Sequence, residues 1–373
     1  MRQKWVTVAT GLLLAGAAIL WVHRSGLQLA AKSARPTPDS LLNIPLERTV
    51  LARQEFLQAY RNIDQQHAEA LYQKFLPRIG ANGLREAIQK AHPFCHAEAH
   101  DLGKVIFAKL RDVGASLESC ADACTSGCMH GVLMKFFADS GSTTGSGHQH
   151  STQLTTTDIR GRIPTFCERP AVTRMYRPGD CAHGVGHAVM FLSDYDIPAA
   201  IDLCDRFPSH PLRYYCATGA YMEYAHTRSG SDYPVHGGLY PCENAFYPAA
   251  CFRYIMTNTT LQQYFRGGTL ETLERQCAQL GEKYRLGCFH GIGFAHLERV
   301  AQGQKTLAEV CGFGSREDQT VCIEGVMERL GRLNMTTAAE RCRSLVDWRR
   351  GVCQAAAARQ MYDMDKSFKA YPR

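Results

Sequence analysis

Fifteen histidines stand in this 373-residue chain, and those with chemical potential come as pairs four positions apart. His183 and His187 form one such pair, inside "CAHGVGHAVM". Residues i and i+4 of a helix share a face, so the pair presents two imidazole nitrogens to one metal ion. His96 and His100, in "CHAEAHDLG", form a second pair with Glu98 between them. His130 and His290 are single, yet they occupy the same slot as His183, two residues after a cysteine and one before a glycine.

Equivalent slots in successive repeats line one surface, so His100, His130, His183 and His187 are the four expected metal ligands. Bonds of about 2.0 Å from nitrogen to metal tolerate little slack, whereas neighbouring helices stand roughly 10 Å apart, so the side chains must bridge the gap. His290 lies further along the chain and joins such a site only if the array closes on itself. Neutral imidazoles suit zinc, copper, iron or nickel. A purely structural reading is equally open, in which each histidine hydrogen-bonds a carbonyl of the neighbouring repeat and recurs because its slot recurs. His148 and His150 in "GHQH" read as a polar loop or a weak metal-acquiring tag. Met222, Glu223 and His226 in "YMEYAH" share a helical face as mixed ligands, although Met in that position more often belongs to a core.

Other catalytic signatures are missing. The chain has no H-E-x-x-H, G-x-S-x-G, P-loop or C-x-x-C-H, and Cys120 and Cys124 have the wrong spacing for a C-x-x-C redox pair. No substrate or reaction is named by the sequence, so whether the chain is an enzyme stays open.

The elements that must position these histidines are announced by sixteen cysteines. Cys95, Cys128, Cys181, Cys216, Cys251, Cys288, Cys322 and Cys353 recur at 31 to 37 residues, with one longer step of 53 between Cys128 and Cys181. Cys167, Cys204, Cys242, Cys277, Cys311 and Cys342 precede the last six by 9 to 14 residues, which implies six local bridges. Four cysteines remain and allow three pairings; spacing favours Cys120 with Cys128 and Cys95 with Cys124. "CMHGVLMKF", "CAHGVGHAVM", "CATGAYMEY", "CFHGIGFAHL" and "CIEGVMERL" all place glycine three after the cysteine. Self-similarity at this period signals a solenoid of supersecondary units. Apolar spacing in "TLETLERQCAQLGEKY" and "TTAAERCRSLVDW" is helical, so each unit is expected to be a hairpin of two helices of roughly 12 residues, bridged across its turn at a Cα separation of about 5.5 Å. Glycine in a helix costs about 1 kcal/mol relative to alanine, so Gly131, Gly184, Gly219, Gly291 and Gly325 must permit something, and close helix contact suffices.

"GCMHGVLMKFF" and "YCATGAYMEYAH" resemble the second-helix opening of Sel1-like repeat proteins of the cysteine-rich Helicobacter type, in which each hairpin carries one bridge. That resemblance implies an all-α, disulfide-stapled solenoid of about eight hairpins and a general habit of partner binding. It assigns no functional residue, and the histidines have no counterpart in that pattern.

Residues 5–22 form an apolar stretch of 18 preceded by Arg2 and Lys4, long enough to cross a bilayer. Residues 1–24 are therefore expected to be a membrane anchor or, less in keeping with the poor cleavage site, a signal sequence. The cysteines require an oxidising compartment, which places the body in a periplasm beyond the inner membrane; a secreted or secretory-lumen location is the alternative, where the sequons at Asn258 and Asn334 would matter. Residues 25–46 read as a linker, 47–92 as a helical cap, 93–363 as the repeat domain with a flexible insertion at 138–158, and 364–373 as a tail. The net charge of +7 is spread thinly, which gives no support to nucleic-acid binding. The second function expected is a scaffold without metal, using aromatic residues such as Tyr214, Tyr215, Tyr221, Tyr224 and Tyr254 to bind a peptide, an envelope protein or cell-wall material.

Overall fold

The computed structural model describes residues 44, 46–62, 68–92, 95–120, 124–141, 156–227, 239–265 and 267–359. Residues 1–24, most of the linker, His148, His150 and the tail lie outside them. Among the described residues there is no strand, and no helix is long and apolar enough to cross a membrane.

Two helices open the described chain, α1 (Leu46–Tyr60) and α2 (Ala68–Ala91). The cap is bent: Pro77 lies inside α2 and Gly80 has φ 72°, a left-handed backbone that only glycine adopts without strain, so α2 is two helical segments meeting at a kink. There follow α3 (His96–Leu110), α4 (Val113–Cys120), a 3-10 turn (Cys124–Ser126), α5 (Gly127–Gly141), α6 (Thr156–Phe166), α7 (Pro170–Thr173), α8 (Pro178–Leu192), α9 (Ile197–Cys204) and α10 (His210–Thr227). After a second 3-10 turn (Cys242–Asn244) come α11 (Pro248–Phe265), α12 (Leu270–Ala278), α13 (Glu282–Ala295), α14 (Leu297–Ala301), α15 (Leu307–Cys311), α16 (Arg316–Leu333), α17 (Met335–Arg343) and α18 (Asp347–Arg359).

Local sequence explains the helix starts. Thr306 with Glu309 and Ser315 with Asp318 form reciprocal capping boxes on α15 and α16. Asp196, Thr269 and Asn334 each accept a first-turn N–H through the side chain. Proline opens α8, where its missing N–H has no helical partner to lose.

All sixteen cysteines are bridged, with Cα separations of 5.1 to 5.6 Å. Cys120 joins Cys128 and Cys95 joins Cys124, as spacing favoured. The six local pairs bridge as expected. The two arms of each unit are unequal, however. Cys95, Cys128, Cys181 and Cys251 stand at or near the starts of long helices, and Cys216, Cys288, Cys322 and Cys353 lie two turns inside theirs, whereas their partners end short helices or sit in 3-10 turns. The long helices α3, α5, α8, α10, α11, α13, α16 and α18 pack each against the next, so they share one continuous core while the short arms buttress them. That sequence of contacts also bends: both carboxylate oxygens of Asp180 on α8 accept from Arg332 on α16, at 2.5 and 2.7 Å across 152 residues of sequence.

At Gly131, Gly219, Gly291 and Gly325 long helices touch backbone to backbone, while Gly184 lies against the side chains of His130 and Leu133. A Cβ on Gly131 would stand 1.8 Å from the His100 carbonyl oxygen, and one on Gly219 1.9 Å from that of His183. No larger residue fits without separating the helices. The Gly131 contact brings the histidine-bearing turns of α3 and α5 together, and Gly184 on α8 lies against the His130 side chain.

Candidate metal centre

Five histidines meet in the core, His96 and His100 from α3, His130 from α5, and His183 and His187 from α8. All are buried, 0 to 7% exposed. The structure thus brings together the four residues the sequence singled out and adds His96. Four of the five, His96, His100, His130 and His187, could form a metal site, each offering a nitrogen within 4.8 Å of the others'. His183 adjoins them, its Nε2 3.2 Å from His187 Nε2.

The outward-facing nitrogens are tied to acceptors. His96 Nδ1 donates to the Cys124 carbonyl at 3.1 Å and His130 Nε2 to the Asp180 carbonyl at 3.1 Å. His183 Nδ1 lies 2.7 Å from Thr218 Oγ1, whose own proton goes to the Tyr215 carbonyl, so the imidazole is the donor there. His187 Nδ1 donates to the Glu223 carboxylate at 3.0 Å. Each of these four rings therefore carries its proton outside and turns a bare lone pair inward. Such outer partners are what orient imidazole ligands around a metal.

The inward nitrogens crowd one another: His100 Nε2 is 3.2 Å from His96 Nε2, His130 Nδ1 is 3.4 Å from the same atom, and His187 Nε2 is 3.2 Å from His183 Nε2. A proton on His100 Nε2 would satisfy the first contact. The other two set lone pair against lone pair. Protonating the rings is opposed by burial first and by the neighbouring imidazoles second, which hold His96, His100, His130 and His183 well below the ordinary histidine range. A tetrahedral ion with bonds of about 2.0 to 2.1 Å keeps its donors about 3.3 to 3.4 Å apart, close to these separations.

Glu223 is the carboxylate in this shell. Burial alone would raise its pKa, but the His187 hydrogen bond, with His187, His226 and Lys104 nearby, lowers it. It sits on α10 one helix beyond the histidines; Met222 beside it is buried among apolar residues, and His226 lines a separate void with His100 and Glu223. His290 does not join the cluster. It packs on α13, its Nε2 3.3 Å from Glu328 of α16, which also binds Arg253. Tyr214, Tyr221 and Tyr224 are core residues, whereas Tyr215 and Tyr254 flank a pocket that opens onto the cluster.

The signal that finds His96 is its i, i+4 relation to His100. Nothing in the sequence marks the Cys124 and Asp180 carbonyls, because backbone acceptors have no residue signature. Comparison of the chain with known protein families, with curated proteins and with solved structures found no match.

Proposed function

We propose that this chain is a metalloprotein whose five-histidine cluster holds a transition-metal ion, copper, iron or zinc, as a resident centre. One observation carries the reading: the inward lone pairs of His130 and His96, and of His187 and His183, meet at 3.4 and 3.2 Å with their outer nitrogens already bonded. The structural reading of the histidines accounts for the outer bonds, since His130 does donate to a neighbouring hairpin's carbonyl. It leaves the inner nitrogens opposed, and a cation removes that cost.

Deep burial and ligands drawn from three bridged helices favour a resident ion over one passed onward, hence an oxidoreductase or other metal-dependent activity over a metal-handling role. Around the centre we read a curled solenoid of about eight disulfide-tied hairpins, Sel1-like in architecture, anchored by residues 5–22 and facing a periplasm. Eight bridges and the absence of free cysteine among the described residues support an oxidising compartment. The scaffold alternative, binding a peptide, envelope protein or cell-wall component without metal, is decided by elemental analysis of protein purified without a histidine tag. Stoichiometric metal that disappears in His183→Ala/His187→Ala supports the centre; metal-free protein whose melting temperature ignores both metal and chelator refutes it.

A further inference from the structure

Beside the cluster lies a small pocket, partly open to solvent. His96, His130 and His183 form one wall. The remainder is unusually basic: Arg177, Arg253, Arg329 and Arg332 face only two carboxylates, Asp180 and Glu328. Four guanidinium groups against two carboxylates leave an excess of two positive charges.

Both carboxylates are already bound. Arg332 holds the two oxygens of Asp180, and Arg253 and His290 hold Glu328. Arg253 is buried, stacked over Phe294 at 4.7 Å and Tyr254 at 5.5 Å, and its Nε meets no hydrogen-bond partner. A buried donor left in this way at a pocket wall is rare in folded proteins and calls for an acceptor. Arg329 is half-buried beside it and its guanidinium lies over the Phe294 ring, 5.8 Å from the centroid. Arg177 is exposed at the rim. Tyr215 and Tyr254 supply aromatic surface between the arginines and the histidines. His183 and Tyr254 are in contact, ring centroids 5.7 Å apart, so a molecule held here reaches the cluster directly.

We propose that this pocket binds an organic anion, a carboxylate or phosphate ester, with its acidic group on the arginines and its body against Tyr215 and Tyr254, next to the histidine centre. Guanidinium groups bind both kinds of anion through paired N–H donors, and the rings provide the apolar contact an organic body needs. The proposal deepens the metal-centre reading and rests on it for what happens to the bound molecule, although anion binding itself is measurable without metal.

The test is calorimetric titration of the full chain, before and after chelation, with benzoate, phenyl phosphate, inorganic phosphate and neutral benzamide as probes. Benzoate or phenyl phosphate is expected to bind in the millimolar range or tighter and at least tenfold better than benzamide; which of the two wins identifies the acidic group. Binding of inorganic phosphate alone would remove the organic body from the proposal and overturn it. Arg329→Gln is expected to weaken the anion at least tenfold with metal content unchanged. Should that variant fail to fold, Arg177→Gln at the exposed rim is expected to weaken it severalfold. No binding of any probe, or equal binding of benzamide and benzoate, overturns the pocket whatever the metal content. Metal-free protein that still binds the anions contradicts the centre and leaves the pocket standing.

Discussion

Replacing Gly131 by alanine tests whether the helix contact, and not merely the histidines, builds the centre. In an unobstructed helix the change is favourable: Gly351 is exposed in α18 with nothing within 4 Å of a built Cβ, so Gly351→Ala should stabilise by up to about 1 kcal/mol. At Gly131 the same methyl would lie 1.8 Å from the His100 carbonyl oxygen and 2.6 Å from its carbon. Reaching even a tight contact requires α3 and α5 to part by about 1.2 Å, an overpacking that costs about 1 to 3 kcal/mol or more and outweighs the helical gain. The movement is several times the roughly 0.2 Å tolerance of a metal–ligand distance, and it separates His96 and His100 from His130. Thermal unfolding and elemental analysis of the two variants beside wild type supply the assay. Gly131→Ala should melt lower and lose metal with every histidine intact, while Gly351→Ala should melt at or above wild type with metal retained. A Gly131→Ala protein with wild-type stability and metal content would refute the reasoning.

Other outcomes follow from the same geometry. In chelator, the chain should lose stability as pH falls below about 6.5, because unfolded histidines take up protons that buried His96, His100, His130 and His183 refuse; with four such groups the slope approaches about 5 kcal/mol per pH unit, and a flat melting profile from pH 7.5 to 5.5 would contradict it. Replacing Cys95 and Cys124 by serine opens a loop of 29 residues, worth about 3.6 kcal/mol by chain entropy; it should also weaken metal binding because Cys124 holds His96. Removing Cys277 and Cys288, separated by 11 residues, should cost about 2.8 kcal/mol and leave metal content unchanged. Asp180→Asn should destabilise by about 1 to 3 kcal/mol, measured by chemical unfolding, because Arg332 then loses its carboxylate while the backbone acceptor for His130 remains.

What the sequence discloses here is local. The bridges could be paired because most join residues 8 to 14 apart, and the i, i+4 histidine pairs follow from helix geometry alone. The glycine three after five of the marker cysteines announces a close contact, but not that at Gly131, Gly219 and Gly325 its neighbour is the carbonyl of a histidine in the adjoining helix. Long-range features escape such reading. The Asp180–Arg332 contact joins residues 152 positions apart, and no motif reports it. Glu223 is marked in the sequence only as one of three mixed ligands in "YMEYAH", and its place as the acceptor for His187 emerges when α10 is packed on α8. His290 shares the slot of His130 and His183, yet it faces Glu328 because the neighbouring helix there supplies a carboxylate in place of another imidazole.

X-ray absorption spectroscopy of the metal-loaded full chain addresses the centre most directly, since it reads ligand type and distance at the ion itself. The proposed site requires a shell of four or five nitrogen donors at about 2.0 to 2.1 Å, with the multiple scattering of imidazole rings and no sulfur. His187→Ala should reduce that shell by one ring. A metal shell of oxygen or sulfur donors, or one unchanged by His187→Ala, would contradict the assignment of the buried histidines as its ligands.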